Sequence, residues 1–218
     1  AYMRSSNENR CILNIGGIAN ISILPANSEQ TVTGFDTGPG NTLLDSWIRL
    51  HRSVSYDDNG DWAASGKVNE SLLKLLLSDQ FFLAPPPKST GKEHFNLSWV
   101  SDYLDLLPDE ISPEDIQATL CELTAQSIIN AVTQHAPETE RLLVCGGGMN
   151  NSYLINRIST LAGTISVEST AEIGADPQWI EASAFAWLAK QTLNRLPGNL
   201  PSVTGASKPV ILGAIYPA

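Results

Sequence analysis

The sequence predicts an α/β protein, and three observations carry that prediction. Short β-branched runs separated by tight turns open the chain. Apolar residues at helical spacing fill its middle, and a strand–helix–strand–helix order closes it. With 218 residues, 42% of them hydrophobic and 17% charged, the chain can bury a sizeable core in one large domain or two small ones.

Residues 11–15 (Cys-Ile-Leu-Asn-Ile) and 20–24 (Asn-Ile-Ser-Ile-Leu) flank Gly16-Gly17 and read as a hairpin. Residues 31–35 (Thr-Val-Thr-Gly-Phe) supply a third strand, so the opening is an antiparallel meander. From 41 to 51, Leu43, Leu44, Trp47, Ile48 and Leu50 recur as on one helix face. Leu72, Leu73, Leu75, Leu76 and Leu77 mark a second helix over 69–78, placed in the core or at a subunit interface. Pro85-Pro86-Pro87 forces a loop. A shorter helix is expected over 98–107. Ser112-Pro113-Glu114-Asp115 is a helix start: Ser112 caps, Pro113 suits the first turn, and Asp115 completes an S-x-x-[DE] box. That helix runs to about residue 135, with Leu120, Leu123, Ile128, Ile129 and Val132 inward. Residues 141–145 (Arg-Leu-Leu-Val-Cys) form a buried strand ended by Gly146-Gly147-Gly148. A helix over 151–162, a strand over 164–168, a helix over 177–193, a loop over 194–207 and a short strand over 209–213 complete the expectation.

A formal net charge of −10 disfavours nucleic acid as a partner, because phosphate backbones are held by Lys and Arg. A single nucleotide remains compatible, since backbone N–H groups and a metal ion can hold it. No run approaches the ~20 apolar residues of a membrane span. Ala1-Tyr2-Met3-Arg4 carries no signal-peptide pattern. Cys11, Cys121 and Cys145 match no zinc or redox spacing and sit in apolar runs, which suits packing in a reducing cytoplasm. His51, His94 and His135 do not cluster in sequence.

Three Gly-rich turns each follow a predicted strand: Asn14-Ile15-Gly16-Gly17, Asp36-Thr37-Gly38-Pro39-Gly40-Asn41 and Gly146-Gly147-Gly148. Glycine there lets a ligand approach the backbone, and a following helix start favours phosphate. None is a P-loop; Thr90-Gly91-Lys92-Glu93 lacks the first Gly and the Ser or Thr after Lys. Asp36 closes a strand and precedes Gly38-Pro39-Gly40. It reads either as a helix cap or turn residue, or as a general base or a holder of magnesium-bound water. Phe35-Asp36-Thr37-Gly38 also matches the aspartic-protease tripeptide. That chemistry pairs two carboxylates, whereas this chain has one such tripeptide followed by a helix. Glu181 stands among Ile180, Ala182, Ala184 and Phe185, where a carboxylate needs a partner: a basic side chain, or a sugar or magnesium-water contact.

Several strings occur in a fixed order. They are Asn14-Ile15-Gly16-Gly17-Ile18-Ala19-Asn20, Gly34-Phe35-Asp36-Thr37-Gly38-Pro39-Gly40-Asn41, Pro85-Pro86-Pro87-Lys88-Ser89-Thr90-Gly91-Lys92-Glu93 and Cys145-Gly146-Gly147-Gly148-Met149-Asn150-Asn151. Gly174-Ala175-Asp176 and Glu181-Ala182-Ser183-Ala184-Phe185-Ala186-Trp187-Leu188-Ala189 follow. Together they cover nearly the whole chain, which resembles the anhydro-N-acetylmuramic acid kinase family. The resemblance implies an RNase H-like lobe of the actin-like ATPase kind, with an N-terminal β meander and flanking helices. It implies ATP and Mg2+ as cofactors and a muramic sugar as substrate, in cytoplasmic cell-wall recycling. Asp36 matches the catalytic base of that family. Gly146, Gly147, Gly148 and Asn150 match its adenosine-side motif, Gly16 and Gly17 its second phosphate hairpin, and Gly38, Gly40 and Asn41 belong to the same nucleotide-facing set. The resemblance is also the sole ground for expecting a homodimer. The family opens with a lobe carrying a Gly-Thr-Ser-x-Asp-Gly loop, and no such string occurs here. Residues 1–218 are therefore expected to be the C-terminal lobe, with little activity alone.

Overall fold

The computed structural model describes residues 3–216. One five-stranded sheet organises it: β1 (Arg10–Ile15), β2 (Ile18–Leu24), β3 (Thr33–Pro39), β4 (Arg141–Cys145) and β5 (Ser166–Ser169), in the order β3-β2-β1-β4-β5. β1 pairs antiparallel with β2, and β2 with β3. β4 lies parallel to both β1 and β5. The meander and the later β-α-β unit therefore share one sheet. β1, β3, β4 and β5 all end at the same edge. The central strand β1 buries alternate residues, Cys11, Leu13 and Ile15, whereas its neighbour β4 buries Leu142 to Cys145 without a break. A strand between two parallel or antiparallel neighbours, covered on both faces, takes such an unbroken apolar run.

Helix α1 (Asn41–Arg52) leaves the sheet at Gly40. Short helices α2 (Asp61–Ser65), α3 (Glu70–Leu77), α4 (Gln80–Leu83) and α5 (Leu97–Leu104) lead to the 23-residue α6 (Pro113–His135). α6 contacts β2 and β3 on one side and α1, α2, α3 and α7 (Ser152–Ala162) on others. Its unbroken buried stretch from Ile116 to Ala125 follows from that central place. Leu72, Leu73 and Leu76 pack into this core with Cys11 and Cys121, and Cys145 is buried at the end of β4. Burial pushes the Cys11 thiol up to about 12, which keeps it protonated and inert. Ser112 caps α6 by accepting from Asp115 N–H at 3.3 Å. The box is only half formed, because the Asp115 carboxylate accepts instead from Lys67 N–H at 2.6 Å.

Several expectations shift. The third strand runs from Thr33 to Pro39, not 31–35, so Asp36 lies within it, paired with Asn20 across a register shift in β2. Pro39 is tolerated because β3 is an edge strand and Pro39 its last residue. The strand expected over 164–168 begins at Ser166. No strand forms over 209–213; Val210, Ile211 and Leu212 are exposed, and the segment is held by Gly198 N–H donating to the Val210 carbonyl, Val210 N–H donating to Asn199 Oδ1 at 2.6 Å and Thr192 Oγ1 donating to the Leu212 carbonyl. Instead α9 (Pro201–Thr204) appears, and Ser202 Oγ donates to the Val32 carbonyl at 2.7 Å. α8 starts at Ile180, three residues later than expected, and ends at Leu193 without a single buried residue.

Candidate functional site

The edge where β1, β3, β4 and β5 end collects the glycine turns. In open α/β sheets this carboxyl edge is where ligands bind. The Gly16–Gly17 turn receives the start of α1: Asn41 N–H donates to the Gly16 carbonyl at 2.8 Å. Gly40 and Thr42 N–H donate to the Gly17 carbonyl at 2.9 and 3.1 Å. The α1 terminus is thus closed by the hairpin rather than open to phosphate. The Gly16 and Gly17 N–H groups donate to nothing among the described residues.

β4 delivers the second glycine run beside the first. Gly146 adopts φ +83, and a Cβ on it would press on Asn14 and lie 2.8 Å from the Ile15 carbonyl oxygen. A Cβ on Gly148 would overlap Ile15 and reach 3.2 Å from Asn41 Oδ1. Gly147 differs, since a Cβ there meets nothing nearer than Asn41 Nδ2 at 4.0 Å. Gly147, Asn41 and Asn150 line a cavity of about 470 Å³ with Asp45, Tyr56 and Asp58. Packing thus accounts for Gly146 and Gly148, whereas nothing in the packing requires Gly147 to be a glycine.

Asp36 stands two strands away from β1, half-buried on β3. It does not cap α1; Gly40 does. Its main-chain N–H donates to the Lys88 carbonyl at 3.1 Å, and its Oδ2 accepts from Thr90 N–H at 2.9 Å. Burial raises its pKa, and the Thr90 bond offsets part of that rise. A carboxylate held by one oxygen, with its basicity raised, can take a proton from water. The loop after the three prolines is thus part of the site. Lys88 itself turns away, donating to the Phe81 carbonyl at 2.8 Å above the Phe81 ring.

The structure brings Gly16, Gly17, Asn41, Gly146, Gly147, Gly148 and Asn150 together. Gly38 and Gly40 serve packing: Gly38 is buried against Phe82 and Ser127, and Gly40 against the Gly16 carbonyl. Glu181 is exposed on α8, so the expected burial cost is absent, and no ion pair holds it among the described residues. It lies near the edge all the same; burial first, and then the Glu181 charge, push the Cys145 thiol up to about 11. From sequence, residues 88–93 read equally as a cleft-edge loop or an exposed connection; the bond from Thr90 N–H places the loop beside Asp36, and the place of Asp45 at the cavity is visible only in the fold. No group of three or more His, Cys, Asp or Glu side chains among the described residues is arranged to hold a metal.

The profile of the family described as Anhydro-N-acetylmuramic acid kinase matches residues 1–218. The chain belongs to this family. Among curated anhydro-N-acetylmuramic acid kinases, one from Coxiella burnetii is 54% identical over 98% of this chain and 57% of its own length. One from Pasteurella multocida is 54% identical over the whole chain and 57% of its own length. The chain thus spans less than two thirds of the kinases it matches. Among solved structures, the activator of the 2-hydroxyisocaproyl-CoA dehydratase from Clostridium difficile, with bound ADPNP, superposes with a TM-score of 0.52. That likeness covers 88% of this chain and 64% of the activator at 18% identity, and it places this member of the kinase family in the actin-like ATPase fold. No helix of the described residues is long and apolar enough to cross a membrane.

Proposed function

We propose that the chain supplies one wall of the active site of an ATP-dependent kinase that opens 1,6-anhydro-N-acetylmuramate with water. The products are N-acetylmuramate 6-phosphate and ADP. The observation that carries this reading is the Asp36 carboxylate, fixed by Thr90 N–H on the same sheet edge as two convergent glycine turns. Asp36 takes the proton of a water as its oxygen bonds to the anomeric carbon. The bond from that carbon to O6 breaks, and O6 becomes the phosphoryl acceptor. ATP would supply the phosphoryl group, and a magnesium ion, brought in with the nucleotide rather than held by a carboxylate cluster among the described residues, would offset the phosphate charge.

The bare face of Gly147 fits such a ligand, since a methyl group there would project into the cavity that Asn41 and Asn150 share. These residues would hold the nucleoside side, and the Gly16 and Gly17 N–H groups the phosphates. Glu181 is assigned to the sugar side of the cleft. The part of the relatives that this chain does not span is the proposed source of the facing wall.

The test compares full-length kinase, the 218-residue chain and full-length Asp36→Asn in a coupled ADP-release assay, with the sugar product identified by mass. Full-length enzyme should turn over and the 218-residue chain should not. Asp36→Asn should lose about 10²- to 10⁴-fold in kcat, the worth of a positioned general base. Undiminished turnover by Asp36→Asn would remove that residue from the mechanism.

A further inference from the structure

Lys92 lies on the loop that holds Asp36, two residues beyond Thr90. A Cβ built on Gly17 would lie 3.0 Å from Lys92 Cε and 3.7 Å from its Nζ. The end of the Lys92 side chain therefore lies against the face of the turn. Its ammonium has no carboxylate within 4.0 Å among the described residues. It is near enough to Asp45 to act on that carboxyl by charge, after Arg49. The loop that carries it is fixed at three points. Asp36 N–H donates to Lys88, Thr90 N–H donates to Asp36, and the fully buried Phe95 donates its N–H to Gly91 at 3.1 Å. A free ammonium on a fixed loop thus rests against a turn whose two glycine N–H groups are also free. Three uncommitted donors at one point favour an anion.

The order of strands says which anion. Asp36 is on β3 and the Gly147 cavity follows β4, three strand spacings or ~14 Å apart. The β1–β2 turn lies between them. A nucleotide with its base end at the Gly147 cavity extends its phosphates across this turn toward Asp36, so its last phosphoryl group is the one nearest Lys92.

On the kinase reading above, we infer that Lys92 is the cation that contacts the terminal phosphoryl group of the triphosphate at the Gly16–Gly17 turn. It distinguishes triphosphate from diphosphate and orients the group to be transferred. Lys88, the other lysine of the loop, is committed to the Phe81 and Phe82 carbonyls.

Calorimetric titration of the full-length kinase tests this without turnover. AMP-PNP, ADP and the anhydro sugar are titrated separately into wild type, Lys92→Met and Lys92→Arg. Lys92→Met should weaken AMP-PNP by about ten- to a hundredfold, the scale of one charge-assisted contact, and leave ADP and sugar within about twofold. Lys92→Arg should recover part of the loss. Retained ADP binding reports that the variant is folded. Equal loss for ADP and AMP-PNP would overturn the assignment to the terminal group. Loss for the sugar alone would place the ammonium on the sugar's carboxylate instead. Unchanged binding of all three would leave Lys92 a solvated side chain. If wild type binds the nucleotides with the expected difference but phosphorylates no sugar in the turnover assay, the kinase reading fails while Lys92 stands.

Discussion

Gly40→Ala is the sharpest perturbation of the seam between α1 and the β1–β2 hairpin. A Cβ at this position would fall well inside 3.0 Å of the Gly16 carbonyl oxygen and 3.2 Å from Ala19 N. Both neighbours are backbone, so no side chain can swing aside. The hairpin must separate from the helix start, and the three bonds at 2.8–3.1 Å from Gly40, Asn41 and Thr42 lengthen or break. Each is worth about 1 kcal/mol net, and the overpacking adds about 1–3 kcal/mol where it is not relieved. A loss of about 3 kcal/mol is expected. With a urea dependence of about 2 kcal/mol per M, the midpoint falls by about 1.5 M. Urea denaturation followed by far-ultraviolet circular dichroism reads this directly. Gly147→Ala is the matched control. Its methyl group meets no protein atom nearer than 4.0 Å, so the midpoint should hold while nucleotide affinity drops by about tenfold. A Gly40→Ala midpoint within about 0.2 M of wild type would refute the reasoning from backbone contact.

Two further outcomes follow from charge. Asp36 has a raised pKa, so its ionised form is a cost to the folded state above that pKa and no cost below its usual 3.8. Asp36→Asn should therefore raise the Tm at pH 7, with the difference vanishing below about pH 4 in a calorimetric pH series. Glu122 behaves oppositely. Burial pushes its carboxyl up, but hydrogen bonds from Arg157 at 2.7 and 3.1 Å and from Gln126 outweigh that and leave it below its usual range. Its stabilisation is present above pH 4.5 and is lost as pH falls through the folded pKa. Arg157→Ala should cost about 2 kcal/mol at pH 7, discounted for the partly exposed arginine, and progressively less below pH 4.5 in urea denaturation.

Much of this architecture was legible in local pattern. Short β-branched runs about Gly16-Gly17 gave β1 and β2, apolar spacing gave α1 and α6, and Ser112-Pro113 marked the α6 start. What escaped was set by partners distant in sequence. Gly38-Pro39 looked like a turn, yet the strand persists through it because Gly38 and Pro39 pair with Ala19 and Ile18 of β2, some twenty residues back. Residues 61–65 gave no periodic signal. Their helix exists because the buried Asp57 accepts from Trp62 and Ala63 N–H, both at 2.9 Å. The apolar composition of α8 suggested burial, but composition says nothing of which surface a helix is offered. For the site, the glycine turns and Asp36 were readable as motifs. Thr90 and Lys92 were not, since their loop becomes part of the site only by clipping onto β3.

That clip has a consequence for the behaviour of the chain in solution. β3 is the last strand of the sheet on its side, and a bare last strand is a template on which another chain can add. The Lys88–Thr90 segment occupies the outer hydrogen-bonding positions at Asp36. A substitution that loosens it exposes an edge as well as misaligning a carboxylate. On the proposed role of Asp36, loss of solubility and loss of turnover should then appear together in such variants, because the same few atoms orient its carboxylate and stop the sheet from growing.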